Sequence, residues 1–354
     1  MDTFFCKPSA DALKAAVPAS DCFEIFAICG ENGRKKRELL DALCKEARAR
    51  RFPTVRVLDA HNADRTVAVC LPLQRKMAAD GDYFSEYLRK NADRIIFSLH
   101  TDSFTDASCA DCRADFEALQ SEAAQCRARA ETLLRAAARK KQTQASLLLP
   151  HCDKSRLMHA VLRLSEAYLP PKPHKKTEGK IVFYRTLGAL GAWGVETVNA
   201  PFAAPSCTRI LLCDAFGCFA PALLDGFAAA CTACGYSVRV YRCALRGVTE
   251  HIHVPSLSLA LCTENAAHPF PFPVQKIFFA EPFLKKSAEK IPHTALLRYE
   301  RAAETLLEEA AFSFYEAAEA EHAAETLLDA YTDETRFALA KNLLCNRVFT
   351  DLAK

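Results

Sequence analysis

Residues 23–43 read FEIFAICGENGRKKRELLDAL, and their interpretation decides the fold. The apolar run Phe23–Ile28 has the character of a short strand, and RELLDAL opens an amphipathic helix. A glycine-bearing turn between strand and helix is a ready anion site, because backbone N–H groups and the helix N-terminus converge there. A working phosphate loop reads G-x-x-x-x-G-K-[ST]. Aligned on the strand and on Leu39, this chain keeps Gly30, Gly33 and Lys36, with Lys35 at the last glycine position and Arg37 at the Ser/Thr position.

These departures have definite consequences. Lys35 adds a Cβ where backbone and phosphate approach closely. Arg37 cannot ligate Mg²⁺ and repels it. Yet Arg34, Lys35, Lys36 and Arg37 gather four cations at a helix start, which opposes the helix dipole and favours a bound anion. The expected cofactor-binding set is therefore Gly30, Gly33, Arg34, Lys35, Lys36 and Arg37, open to ATP, ADP or another nucleotide or phosphate anion but poorly suited to Mg²⁺.

The same pattern returns later in the chain. ILLCDAFGCFAPALLDGF at 210–227 pairs without a gap with IFAICGENGRKKRELLDAL, matching Cys29 with Cys213, Gly33 with Gly217 and Leu39-Leu40 with Leu223-Leu224. FPTVRVLDA (52–60) then matches GYSVRVYRC (235–243), DRIIF (93–97) matches QKIFF (275–279), and AETLLRA (130–136) matches AETLLDA (324–330). Four matches in one order imply an internal duplication. The proline- and charge-rich segment 170–180 reads as the connector. The expected domains are thus 1–169 and 181–354.

Within each half, strands alternating with helices predict a parallel sheet, with TVAVCL (66–71) and LSLALC (257–262) as the apolar strand after VRV. Alanine-, glutamate- and leucine-rich tails with helical periodicity predict long helical hairpins at about 112–168 and 293–349. In the second turn Asp214 replaces the first glycine, Ala220 the lysine and Pro221 the Ser/Thr, so phosphate binding is not expected there. A metal-holding Asp is expected at the end of a neighbouring strand. LSLALC leads into Thr263-Glu264, and TVAVCL ends in no acid, so neither half shows a metal site.

Composition narrows the classes further. The 354 residues are half hydrophobic and carry a net charge of only +3, which gives no field for nucleic acid or anionic membranes. No apolar run approaches a membrane helix and the N-terminus lacks a signal pattern, so a cytoplasmic protein is expected. There its 17 cysteines should stay reduced. Cys109/Cys112 and Cys231/Cys234 have CxxC spacing but lie far apart, so burial rather than metal or redox chemistry is the expected role. His251 and His253 share one strand face, a weak metal signal read as ordinary surface or edge residues.

Taken together, the order strand, Gly turn, helix, VRVYRC, His253-Val-Pro255, AAHPF and helical tail resembles a bacterial family of tandem P-loop ATPase-like proteins. In that family each half carries G-G-P-G-T-G-K-S-T-L, a strand ending in His-Cys, an I-I-P-E-L strand ending in Asp, and T-A-P-H. Gly30, Gly33, Lys36 and Leu39 match the first loop, and Gly217, Leu223 and Leu224 the second. Cys243 matches the His-Cys strand, Pro255 and Leu257 the I-I-P-E-L segment, and Ala266 and His268 the T-A-P-H segment. Residues 185–202 are similar to the family's lead-in to its second domain. The resemblance implies two tandem P-loop NTPase-like α/β domains, each with a C-terminal helical hairpin. Its departures at Lys35, Arg37, Ala220, Pro221 and Thr263 imply a pseudo-ATPase with at most residual nucleotide binding in the first repeat. The rival expectations are a scaffold that binds a protein partner through its hairpins, a weakly active ATPase or nucleotide-dependent regulator, and a thiol or metal protein.

Overall fold

The computed structural model describes residues 2–18, 20–106, 112–170, 179–264, 270–279 and 281–350. It is a mixed α/β structure that divides into two compact units. The first comprises Met1–Ala130, Gly191–Trp193 and Ala311–Lys354, the second Glu131–Leu190 and Gly194–Ala310.

The first unit contains β1 (Asp2–Cys6), α1 (Ala10–Ala16), β2 (Glu24–Cys29), α2 (Gly33–Ala49), β3 (Val55–Asp59), β4 (Asn62–Leu71), β5 (Lys76–Asp80), α3 (Ser85–Lys90) and β6 (Ile95–His100). Its strands lie in the order β1-β3-β4-β5-β2-β6. The pairs β1–β3, β2–β5 and β2–β6 are parallel, whereas β4 runs antiparallel to both its neighbours. The sheet is therefore mostly, not wholly, parallel. Only Ala60 and His61 separate β3 from β4, and a parallel connection needs a crossover of roughly a dozen residues. Residues 66–71 thus belong to this antiparallel strand, and the place beside β2 falls to β5. One sheet face packs on α1 and α3 through Leu13, Tyr87 and Leu88. The other is covered by Leu39, Leu40 and Leu43 of α2.

After α4 (Arg113–Leu148), α5 (Lys154–Tyr168), β7 (Ile181–Thr186) and the short strands β8 (Gly188–Gly191) and β9 (Gly194–Thr197), the second unit continues with β10 (Thr208–Cys213), α6 (Ala220–Ala233), β11 (Val238–Arg242), β12 (Thr249–Val254), β13 (Leu259–Glu264) and β14 (Lys276–Phe279). Its strand order, β7-β11-β12-β13-β10-β14, repeats that of the first unit strand for strand, and again only the third strand, β12, is antiparallel to its neighbours. A detail repeats as well. Pro72 and Pro255 each open a 3-10 turn closed by a left-handed residue, Arg75 (φ 52°) and Ser258 (φ 46°), immediately before β5 and β13.

The tails form α4 and α5, and then α7 (His293–Asp329) and α8 (Glu334–Thr350), close to the expected spans. Their packing does not follow the halves of the chain. Helix α8 belongs to the first unit, where Phe337, Leu344 and Phe349 pack with Leu39 and Leu43 of α2. Helix α5 belongs to the second, where Leu157 and Leu164 pack with Leu223 and Phe227 of α6. Residues 171–178 of the expected connector lie outside the described residues.

Candidate functional site

In the first unit three parallel strands end side by side. The register sets Ile28 against Asp80 and Cys29 against His100, which brings the Gly30 turn, the β5 end and the β6 end together at the N-terminus of α2. Carboxyl ends of parallel strands are where α/β folds bind ligands. A cleft of about 600 Å³ opens there, lined by Gly30, Gly33, Lys36, Arg65, Arg113 and Arg127 together with Glu31, Asp82, Asp102, Glu117, Glu321 and Glu325.

The turn itself is only Gly30, Glu31 and Asn32. Asn32 caps α2, its side-chain oxygen accepting the Lys35 N–H at 3.0 Å, so the helix starts at Gly33 rather than near Lys36. Gly30 has φ +112°, and a Cβ there would run into Asp102 and Thr101. Two amides of the turn already have acceptors. Gly30 N–H donates to Asp82 Oδ2 at 3.2 Å and Glu31 N–H to Asp102 Oδ1 at 2.9 Å.

Lys36 Nζ is buried and donates to Asp80 Oδ1 at 3.0 Å and Asp82 Oδ2 at 2.6 Å. Asp80, 2% exposed, also accepts from Arg65 Nη2 at 3.0 Å and from the Asp82 and Tyr83 amides. Burial by itself pushes the Asp80 carboxyl up, but the Lys36 and Arg65 charges and the hydrogen bonds from Lys36 and Tyr83 outweigh it and hold the group below the usual carboxylate range. Burial pulls the Arg65 guanidinium down, but Asp59 and Asp80 overcome it and hold it firmly charged. The Cys29 thiol at the cleft is pushed up by burial and by Asp82, which argues against a thiolate nucleophile.

Asp80 corrects the expectation that no acid ends the strand in the first half. The signal was present in Pro72 and Pro255. Aligning them sets LPLQRKMAAD on VPSLSLALCT and pairs Asp80 with Thr263. The strand KMAAD is alanine-rich and lacks the β-branched residues that mark strands, so the neighbouring TVAVCL drew the assignment instead. Asp82, Asp102 and Arg65 carried no motif of their own.

Of the six residues expected to bind a cofactor, Gly30, Gly33 and Lys36 line the cleft. The other three bond to acids of α7 and α8. Arg34 Nη1 meets Asp329 at 2.5 Å, Lys35 Nζ meets Glu334 at 2.7 Å and lies over the Phe337 ring, and Arg37 Nη2 meets Glu325 at 2.7 Å. Glu325 also explains Gly33, since a Cβ there would come within 2.5 Å of its Oε1. The basic cluster is thus a clamp between α2 and the C-terminal helices.

The corresponding turn of the second unit is built differently. Pro221 fits the first turn of a helix, and α6 begins at Ala220, leaving Asp214–Phe219 as the turn. Asp214 is 4% exposed, and its Oδ2 accepts the Phe219 and Ala220 amides at 2.8 and 2.9 Å. Cys218 Sγ–H donates to its Oδ1 at 3.5 Å, and Arg246 donates to the Gly217 carbonyl. The adjoining cavity is only about 80 Å³.

The remaining candidates resolve simply. Burial pushes the Cys231 thiol up to about 12, and Cys234 is exposed. Cys109, Ala266 and His268 lie outside the described residues. His251 is not an edge residue. It is buried on β12, accepts the Thr263 amide at 3.1 Å and packs on Phe202. Among the described residues no group of three or more His, Cys, Asp or Glu side chains is arranged to hold a metal ion, and no helix is long and apolar enough to cross a membrane. Comparison with known protein families, with characterised proteins and with solved structures finds no match to this chain.

Proposed function

We propose that the chain is a P-loop NTPase-like pseudo-ATPase, built by duplication of one α/β unit, that retains at most weak phosphate or nucleotide binding in its first unit. One observation carries this reading: the chain's own carboxylates take up two amides at each strand-to-helix turn, Asp82 and Asp102 in the first and Asp214 in the second. The repeated strand order and the paired Pro72 and Pro255 turns support the duplication. The first turn keeps the motif lysine, a strand-end Asp and an open cleft; the acids of that cleft outnumber its bases, so binding there is weak, and Arg37 at the Ser/Thr position supplies no hydroxyl for Mg²⁺, so it is independent of the metal. Lys36 would then exchange Asp82 for a phosphate oxygen while Asp80 keeps it buried. The test is turnover of ATP with Mg²⁺ by the full chain beside Lys36→Ala. No turnover above background is expected for either protein. Mg²⁺-dependent hydrolysis that disappears in Lys36→Ala would overturn the reading.

A second reading, a scaffold acting through protein contacts, is favoured by the apolar side chains that α5 and β14 leave exposed in the second unit.

A further inference from the structure

The sheet of the second unit ends in β14, which pairs with β10 along one edge, and among the described residues no strand pairs with the other. An unpaired edge is ordinarily blunted by shortness, proline, a bulge, a covering element or charge. Here the strand is short, four residues, and carries Lys276 at its start, but its paired register is regular and no proline interrupts Lys276–Phe279. Ile277 and Phe279, two residues apart and so on one face, are 44% and 55% exposed.

Helix α5 adds a second apolar strip nearby. Met158 and Leu162, one helical turn apart, are 59% and 51% exposed. A groove runs between α5 and the strand, its floor formed by Phe278 and Phe283 and its rim by Arg156, His159 and Arg163. Phe278 and Phe283 pack into the core beneath, which makes the groove a rigid feature. Glu166 is the lone acid on the lining, and neither Arg163 nor Lys276 has an ion-pair partner among the described residues.

We infer that this edge receives an extended, acidic segment of another protein, which adds to β14 as a further strand. Main-chain hydrogen bonds to the open edge supply the affinity common to strand addition, and alternate side chains supply the selectivity. Apolar residues of the segment cover Ile277 and Phe279, and its carboxylates meet Arg163 and Lys276. Charge separates this occupant from a second copy of the chain, because Arg163 and Lys276 call for carboxylates and β14 itself carries none.

The test is selection of a displayed library of random 12-residue peptides on the full-length protein, with the enriched peptides resynthesised and titrated by fluorescence anisotropy. Alternating apolar and acidic peptides are expected, and their binding should slow amide exchange in β14. Phe279→Asp and Arg163→Glu, both at the groove surface, should each weaken binding by about tenfold or more. Leu73→Asp, at an exposed site of the first unit, should leave it unchanged. Enriched peptides whose binding ignores both groove variants, or no enrichment at all, would overturn the inference. So would a concentration-dependent dimer in light scattering that Phe279→Asp dissolves, because the occupant would then be a second copy.

Discussion

In the first unit the turn between β2 and α2 is three residues long, and its amides reach outward to Asp82 and Asp102, at the ends of neighbouring strands. In the second unit the turn between β10 and α6 is six residues long, and its amides close on Asp214 within the turn itself. The first arrangement is open. Asp82 is more than half exposed, so its contacts with Gly30 and Lys36 can be exchanged for those of another anion. The second is sealed, because Asp214 is buried and the adjoining cavity is small. An acid that fills an anion site from inside the turn removes the site, whereas one that reaches in from the surface only competes for it.

The largest effects should come from the buried charges that distinguish the units. Asp80→Ala leaves buried Lys36 with only the half-exposed Asp82 and Arg65 with only the longer contact to Asp59, and should cost about 3 kcal/mol in chemical denaturation. Thr263→Ala, at the equivalent place in the second unit, should cost about 1 kcal/mol. Equal losses would erase the distinction between the two strand ends.

The same carboxylate gives the comparison a pH signature. The folded value of Asp80 is depressed, so its contribution to stability is complete above the ordinary carboxylate range, near 4, and is lost as pH falls through the lower folded value. Melting curves from pH 7 down to 3 should show an acid-induced loss that is smaller in Asp80→Asn. Parallel pH profiles for the two proteins would contradict this.

A sealed turn also predicts that Asp214 is structural. Asp214→Ala leaves two buried amides without an acceptor and should cost about 2 kcal/mol, without creating phosphate affinity, because Ala220 stands where a lysine is needed. Phosphate binding gained by that variant in the second unit would show that the turn is closed by one side chain alone. Smallest of all should be Arg37→Ala. Its pair with Glu325 is partly exposed and should be worth about 0.5 kcal/mol, read in the same denaturation experiment.

These contrasts also mark how far the chain could be read from its residues. The strand-turn-helix units and the long tail helices were legible because IFAIC, ILLC and the alanine-rich tails carry strong periodicity. The antiparallel β4 was less so, since TVAVCL has the apolar character of a buried parallel strand while only the two-residue Ala60-His61 link betrays its direction. The start of α2 was misjudged because a cap decides it, Asn32 drawing the helix back to Gly33, whereas Pro221 announced the start of α6. The partners of Arg34, Lys35 and Arg37 stand nearly 300 positions away, and no local pattern announces such pairs. Nor could the return helices be assigned to a unit, because an apolar face does not name the helix it packs against, α6 for α5 and α2 for α8.

The most direct measurement is calorimetric titration of ATP, with and without Mg²⁺, into the full chain and into an Asp82→Ala/Asp102→Ala variant. Removing the competing carboxylates frees the Gly30 and Glu31 amides and takes away two negative charges, so the variant should bind about tenfold more tightly than the parent, in both cases regardless of Mg²⁺. Tight Mg²⁺-dependent binding by the parent chain, undiminished or weakened in the variant, would mean that Asp82 and Asp102 serve the ligand rather than replace it, and the account would fail.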